Sequence, residues 1–162
     1  MNTGTPGTFA DTAKKRYTRS WFNRPPKGLQ NSLLATTADV GTSFVEVDQS
    51  AANHDLRFEF ILWSGEALNI SASGRCSNSS AGSTNYGSFG IDGVTVENSE
   101  NSIAEPIASY GIAMSLALIK EGLSEGYHYA QVIAKRDIGA LLFDGAASAG
   151  TSRWNINGLI ES

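Results

Sequence analysis

The chain has 162 residues, which is one domain's worth of core and leaves little for a second. Charged residues make up only 17% and hydrophobic ones 41%, which excludes a disordered chain and a coiled coil. Gly, Ser, Thr and Asn together account for 59 residues, favouring turns and exposed strands over helix interiors, so the composition points to β structure.

The formal charge of −4 is unevenly placed. Residues 1 to 30 carry six basic side chains and one acid, a net +5, while the remainder carries six basic and fifteen acidic ones, a net −9. Residues 1–29 read as an extended arm: Pro6-Gly7 and Pro25-Pro26 are turn chemistry. A helical turn at Ala10 to Arg16, capped by Asp11 or Thr12, is too short to hold alone. Cations and aromatics interleave along it as Phe9, Lys14, Lys15, Arg16, Tyr17, Arg19, Trp21, Phe22 and Arg24. Such anchors suit a partner surface. The same mixture raises nucleic acid as a partner, but an acidic body repels phosphates and six cations make a small footprint; an acidic protein surface fits better. No apolar run is long enough to span a membrane, and the first residues lack the apolar segment of a secretory signal, which points to synthesis in a cytoplasm. In that compartment the sequons at Asn69 and Asn78 carry no weight, and Cys76 is a small reduced side chain.

From residue 30 to 162 the apolar pattern has period two, the strand signature. Leu33 to Thr37 and Phe44 to Val47 are the first candidates. In the run that follows, Leu56, Phe58, Phe60 and Leu62 share one face and Arg57 and Glu59 the other. Leu68, Ile70 and Ala72 form the next inward set, then Tyr86 to Ile91. The segment from Ile107 to Lys120 has helix-forming Ala and Leu, yet Ile112, Met114, Leu116 and Leu118 alternate strictly, so it reads as a strand. Tyr127 to Lys135, Ile138 to Phe143 and Arg153 to Ile160 complete about nine strands, divided by Gly, Asn, Asp and Ser clusters. That count predicts an antiparallel β-sandwich or jelly roll.

Tests for chemistry are negative. Ser, His and Asp are all present, but no G-x-S-x-G elbow occurs. His54 and His128 read as strand-edge histidines with solvent or backbone partners, and with a single Cys they form no metal-ligand spacing. Asp39, Asp48, Asp92, Asp137 and Asp144 fall near turns, where Asp serves the backbone; no calcium-loop motif organises them, so calcium binding by these loop acids stays open but unspecific. The expectation is therefore no catalytic residue, no cofactor and no metal.

The order of a strand ending in Ile91-Asp92-Gly93, a long strand, then Leu123, Gly126 and His128 opening another, a hairpin, and a closing strand from Trp154 to Ile160 resembles the jelly-roll domains of tailed-bacteriophage virion proteins. Those include capsid decoration (cement) and head-fibre proteins and tail-fibre tips. The resemblance implies a tumour-necrosis-factor-like jelly roll and assembly as a homotrimer, with apolar strand faces such as Ile61 and Trp63 as contacts. It further implies a non-enzymatic particle protein whose arm attaches to the major capsid protein, located in the virion after assembly in the host bacterial cytoplasm. Fibre tips follow a long shaft, whereas only a short arm precedes this body, so a capsid surface suits it better. Two rivals stay open: a receptor-binding module whose Trp63, Tyr86 or Tyr127 stack on sugars, and a carbohydrate-binding or hydrolytic domain of another origin.

Overall fold

The structure is a computed structural model that describes residues 27–33, 37–38, 40–48, 56–145 and 154–161. Among these residues there are strands and no helix. The strands are β1 (Lys27–Ser32), β2 (Thr37–Ala38), β3 (Val45–Glu46), β4 (Arg57–Leu62), β5 (Ala67–Asn78), β6 (Thr84–Ile91), β7 (Val94–Thr95), β8 (Asn101–Ala104), β9 (Ile112–Lys120), β10 (Gly126–Arg136), β11 (Leu141–Phe143) and β12 (Asn155–Glu161). All pairings are antiparallel, and they form two sheets.

Several strands are pieces of one row. β12 pairs with residues 67–73 of β5 and β11 with residues 76–78, on the edge of β5 opposite β9. Between the two, Asp144 N–H donates to Arg75 O (2.9 Å) and Trp154 N–H to Asp144 O (3.4 Å), so β11 and β12 stand end to end in one row. β1 and β2 flank that broken row in the same way, with Leu33 N–H donating to Trp154 O (2.9 Å). β3 and β4 share one edge of β10, and Val132 bonds to both Val47 and Leu56 where the chain leaves and returns. β7 and β8 follow one another along β6. The result, among the described residues, is eight rows. Numbered along the chain, they lie in the order 1-8-3-6 in the first sheet and 2-7-4-5 in the second.

The two sheets face one another as a β-sandwich, because alternation gives each an apolar face. Phe58, Phe60 and Leu62 of β4 are buried, as expected, with Leu68, Ile70 and Ala72 of β5, Met114 and Leu116 of β9 and Val132 of β10. Burying a side chain of this size stabilises by roughly 1.5–3 kcal/mol. Trp154 is fully buried, packs against Phe143 at 5.0 Å and donates its indole N–H to Arg75 O (2.7 Å). Gly74 makes this possible: a Cβ there would lie inside the indole ring.

The open edges are tied across the gap by amide side chains. Asn31 Nδ2 of β1 donates to Arg57 O of β4 (2.8 Å), and Asn101 Nδ2 of β8 donates to Ser115 O of β9 (2.9 Å). Each bond reaches a carbonyl near the edge of the opposite sheet. At one end, here the near end, lie residue 27, the 63–66 and 92–93 turns, the 121–125 loop and Glu161. The far end gathers the 79–83, 105–111 and 137–140 loops.

Several expected boundaries move: the first strand is Lys27–Ser32, ahead of the Leu33 expected to open it, and the strand expected over Ile138 to Phe143 is only Leu141–Phe143. β1 starts at Lys27, so residues 27–29 stand in a sheet although the arm was expected over 1–29. β7 and β8 were not expected as strands at all.

Candidate functional site

His128 lies on the inward face of β10, in step with Ala130, Val132 and Ala134, and is 5% exposed. It is thus buried, not at a strand edge in solvent. The β6–β7 turn opposite it is Ile91-Asp92-Gly93-Val94, with φ of 52° at Asp92 and 80° at Gly93. Asp-Gly is the pair that tolerates two successive positive φ values, so the sequence itself selects this tight hairpin. The turn carries Asp92 back over β10. Its Oδ1 accepts Tyr129 N–H (3.0 Å) and its Oδ2 lies 2.6 Å from His128 Nδ1. On the other side of the ring, Nε2 is 2.7 Å from Ser124 O in the 121–125 loop.

A carbonyl only accepts, so Nε2 carries a proton; an ionised carboxylate also only accepts, so Nδ1 carries one too. In its protonated form the ring is clamped between Asp92 and Ser124 through both nitrogens. Burial acts to lower the His128 pKa, but the hydrogen bonds to Asp92 and to Ser124 O, with the charge of Asp92, outweigh it and raise the value above its usual 6.5. Both nitrogens are engaged, so neither offers a lone pair to a substrate proton.

The second arrangement is a strip on the outer face of the second sheet. β4 and β10 pair in register, Ile61 opposite Tyr127, Glu59 opposite Tyr129 and Arg57 opposite Gln131. Tyr127 is 58% and Ile61 37% exposed. The Arg57 guanidinium stacks over the Tyr129 ring at 3.7 Å and sits 3.7 Å from Glu59. Partial desolvation and a hydrogen bond to Glu59 raise the Tyr127 phenol pKa, against a smaller pull from Arg57. Trp63, half-buried, follows β4 in the turn where Trp63 N–H donates to Glu66 Oε2 (2.9 Å). Further along the same face, Lys135 lies over the rings of Phe44 (4.4 Å) and Tyr86 (4.7 Å) and pairs with Glu100 (3.7 Å). An exposed aromatic beside a charged pair can offer a stacking surface with polar groups at its rim.

Of the residues singled out in the sequence, Ile61 and Tyr127 thus stand opposite one another, Trp63 follows in the adjoining turn, and Tyr86 belongs to the Lys135 cluster. Asp92 and Asp137 do serve the backbone; Asp137 Oδ1 accepts Thr84 N–H (2.8 Å) and Ile138 N–H (2.6 Å). Asp144 pairs with Arg75 at 3.6 Å. Cys76 is buried in the core, and burial pushes its thiol up to about 12. Phe9, Lys14, Lys15, Arg16, Tyr17, Arg19, Trp21, Phe22 and Arg24, together with Asp39 and His54, lie outside the described residues. Among the described residues no group of three or more His, Cys, Asp or Glu is placed to hold a metal. No helix among them is long and apolar enough to cross a membrane.

The chain matches no protein-family model, and no curated protein is significantly similar to it in sequence.

Proposed function

We propose that the chain is a jelly-roll structural protein of a tailed-phage particle, a homotrimer that decorates the head and is held to the major capsid protein by its basic, aromatic N-terminal arm. In this reading it works in the virion, after assembly in the bacterial cytoplasm, and does no chemistry. The observation that carries it is the row order. Pairing row 1 with 8, 2 with 7, 3 with 6 and 4 with 5, split over two facing sheets, is what results when a long antiparallel hairpin is wound into a sandwich, the jelly-roll path common in capsid domains. Residue 27 opens the outermost row of the first sheet at the near end, so the arm's point of attachment to the body lies at that edge. The +5 of residues 1 to 30 suits an acidic partner, and the doubly engaged His128 supports a structural role.

Co-sedimentation with purified empty heads tests it. The full chain should pellet with heads; a chain lacking residues 1 to 26 should keep its strand circular dichroism and stay in the supernatant. Trp21→Ala should weaken attachment by about 2 kcal/mol and Lys14→Ala by under about 1 kcal/mol. Equal decoration by the truncated chain would refute anchoring by the arm.

The outer strip favours a second reading, recognition of host-surface glycans with Tyr127 as the stacking platform and Glu59 and Arg57 as hydrogen-bonding groups. Glycan binding by the wild-type chain that Tyr127→Ala abolishes would support it, and failure of both proteins to bind a host-derived glycan panel would remove it.

A further inference from the structure

Asn78, at the end of β5, fixes the orientation of everything around it at the far end. Ser80 N–H donates to Asn78 Oδ1 (2.9 Å), so the other terminal atom of that side chain is the amide nitrogen. This nitrogen donates to Ile138 O (3.0 Å) and to Asn85 (2.8 Å). Having no proton to give, the atom of Asn85 that receives this bond is Oδ1, and the Asn85 amide nitrogen is turned away from Asn78. The backbone N–H of Asn78 donates to Glu105 Oε2 (2.9 Å), which leaves Glu105 Oε1. Glu105 in turn stands opposite Ser83, to whose carbonyl it donates its own N–H (2.9 Å).

Three polar atoms result from this chain of constraints: Ser83 Oγ, Asn85 Nδ2 and Glu105 Oε1. All three residues are fully buried, and none of the three atoms has a hydrogen-bond partner among the described residues. Asn85 and Glu105 converge on the same residue, Asn78, and Ser83 lies across the strand pair from Glu105, so the three belong to one cluster. Each would cost roughly 1–3 kcal/mol if left unsatisfied, too much for chance in one small cluster.

We infer that the far end of the sandwich encloses one bound water that accepts a hydrogen bond from Asn85 Nδ2, donates one to Glu105 Oε1 and bonds the Ser83 hydroxyl. The chemistry of the three atoms selects water among small occupants. A metal cation would face the amide hydrogens of Asn85, and calcium in addition needs six or more oxygens. An anion would face the Glu105 carboxylate. An ammonium ion has no lone pair for Asn85. Water both donates and accepts, and three partners is the usual number for a buried one. Such a water would bridge the 79–83 and 105–111 loops across the end of the core.

The test is water-to-protein NOE and ROE spectroscopy on the full-length chain with ¹⁵N and ¹³C label. Cross-peaks from water to the Asn85 side-chain amide protons, with the sign of a long-lived bound molecule, are expected, and Asn85→Leu should remove the long-lived water. Should that variant fail to fold, the wild-type spectrum alone decides, and Ser83→Ala should retain the Asn85 cross-peaks. Absence of the wild-type cross-peaks would overturn the inference. So would their loss on adding calcium chloride with a shift of the Glu105 carboxylate carbon, since that would make the cluster a cation site. Unchanged cross-peaks in calcium support it.

Discussion

The two ends of the sandwich meet the same structural demand, holding loops against neighbouring rows, with different chemistry. The near end uses a charged clamp, Asp92–His128–Ser124, whose strength depends on a proton. The far end uses amides and backbone groups around Asn78, none of which titrates near neutrality, with the Glu105 carboxylate held by a backbone N–H. An ionic clamp is strong when charged and can be switched off by pH; an amide network is indifferent to pH but fails as a unit when one member is removed.

The largest effect should follow from breaking the far end. Asn78→Ala deletes two donated bonds and one accepted bond of the side chain, leaving Asn85 Oδ1 as a buried orphan and Ile138 O and Ser80 N–H without that partner. A loss of about 3 kcal/mol is expected in urea denaturation. His128→Ala should come next, at about 2 kcal/mol at pH 6, because the ring is 5% exposed and both its bonds involve a charged group. A solvent-exposed histidine would cost about 1 kcal/mol or less.

This second effect sharpens the comparison through its pH dependence. The folded pKa of His128 is raised above the unfolded 6.5, so the clamp's contribution is fully present below 6.5 and is lost as pH rises through the folded value. Wild type and His128→Ala should therefore converge in stability from pH 6 to pH 9. A constant difference would show that the histidine acts by packing, not by charge. Asp137 runs the other way, its pKa lowered chiefly by the Thr84 N–H against a small opposing desolvation, with the Ile138 N–H assisting. Its contribution is present above the unfolded value of 3.8 and fades as pH falls, so Asp137→Asn should flatten the acid limb of the stability curve. Smallest of all, Tyr127→Ala should change stability by no more than about 0.5 kcal/mol, since its ring is largely in solvent.

How much of this was legible depended on range. The alternation at residues 57–62 placed Phe58, Phe60 and Leu62 inward correctly because period two is a local signal. The strand at Ile112–Lys120 was recoverable against its helix-forming Ala and Leu for the same reason. β8, with the sequence Asn101-Ser102-Ile103-Ala104 and mostly exposed, carries almost no apolar pattern and exists because it pairs with β6. The rows broken at residues 47–56 and 144–154 could not be joined from sequence, since only pairing to β10 and β5 shows that their halves are collinear. His128 did have a signal: it sits two residues before Ala130 on an alternating apolar face, which marks it as inward. Its partner Asp92 lies 36 positions away and could not be paired with it by spacing. Asn78, Asn85 and Glu105 had no signal, because buried polar clusters are defined by what surrounds them in space.

The winding of the rows also sets the order in which the molecule can be made. β12 is the middle strand between β1 and β5, and Lys27 meets Ile160 in the finished sheet. Until β12 has emerged, β1 has no neighbour and β5 presents an unpaired edge along residues 67–73. Topologies that join distant parts of the chain fold slowly, on the millisecond-to-second scale, and an edge exposed meanwhile is a template for pairing with other chains. The serines and asparagines on the outer face of β5, Asn69, Ser71, Ser73 and Ser77, are poor partners for such pairing. On this account, replacing Ser71 and Ser73 with valine should leave the native fold stable while lowering the yield of soluble protein on rapid dilution from urea.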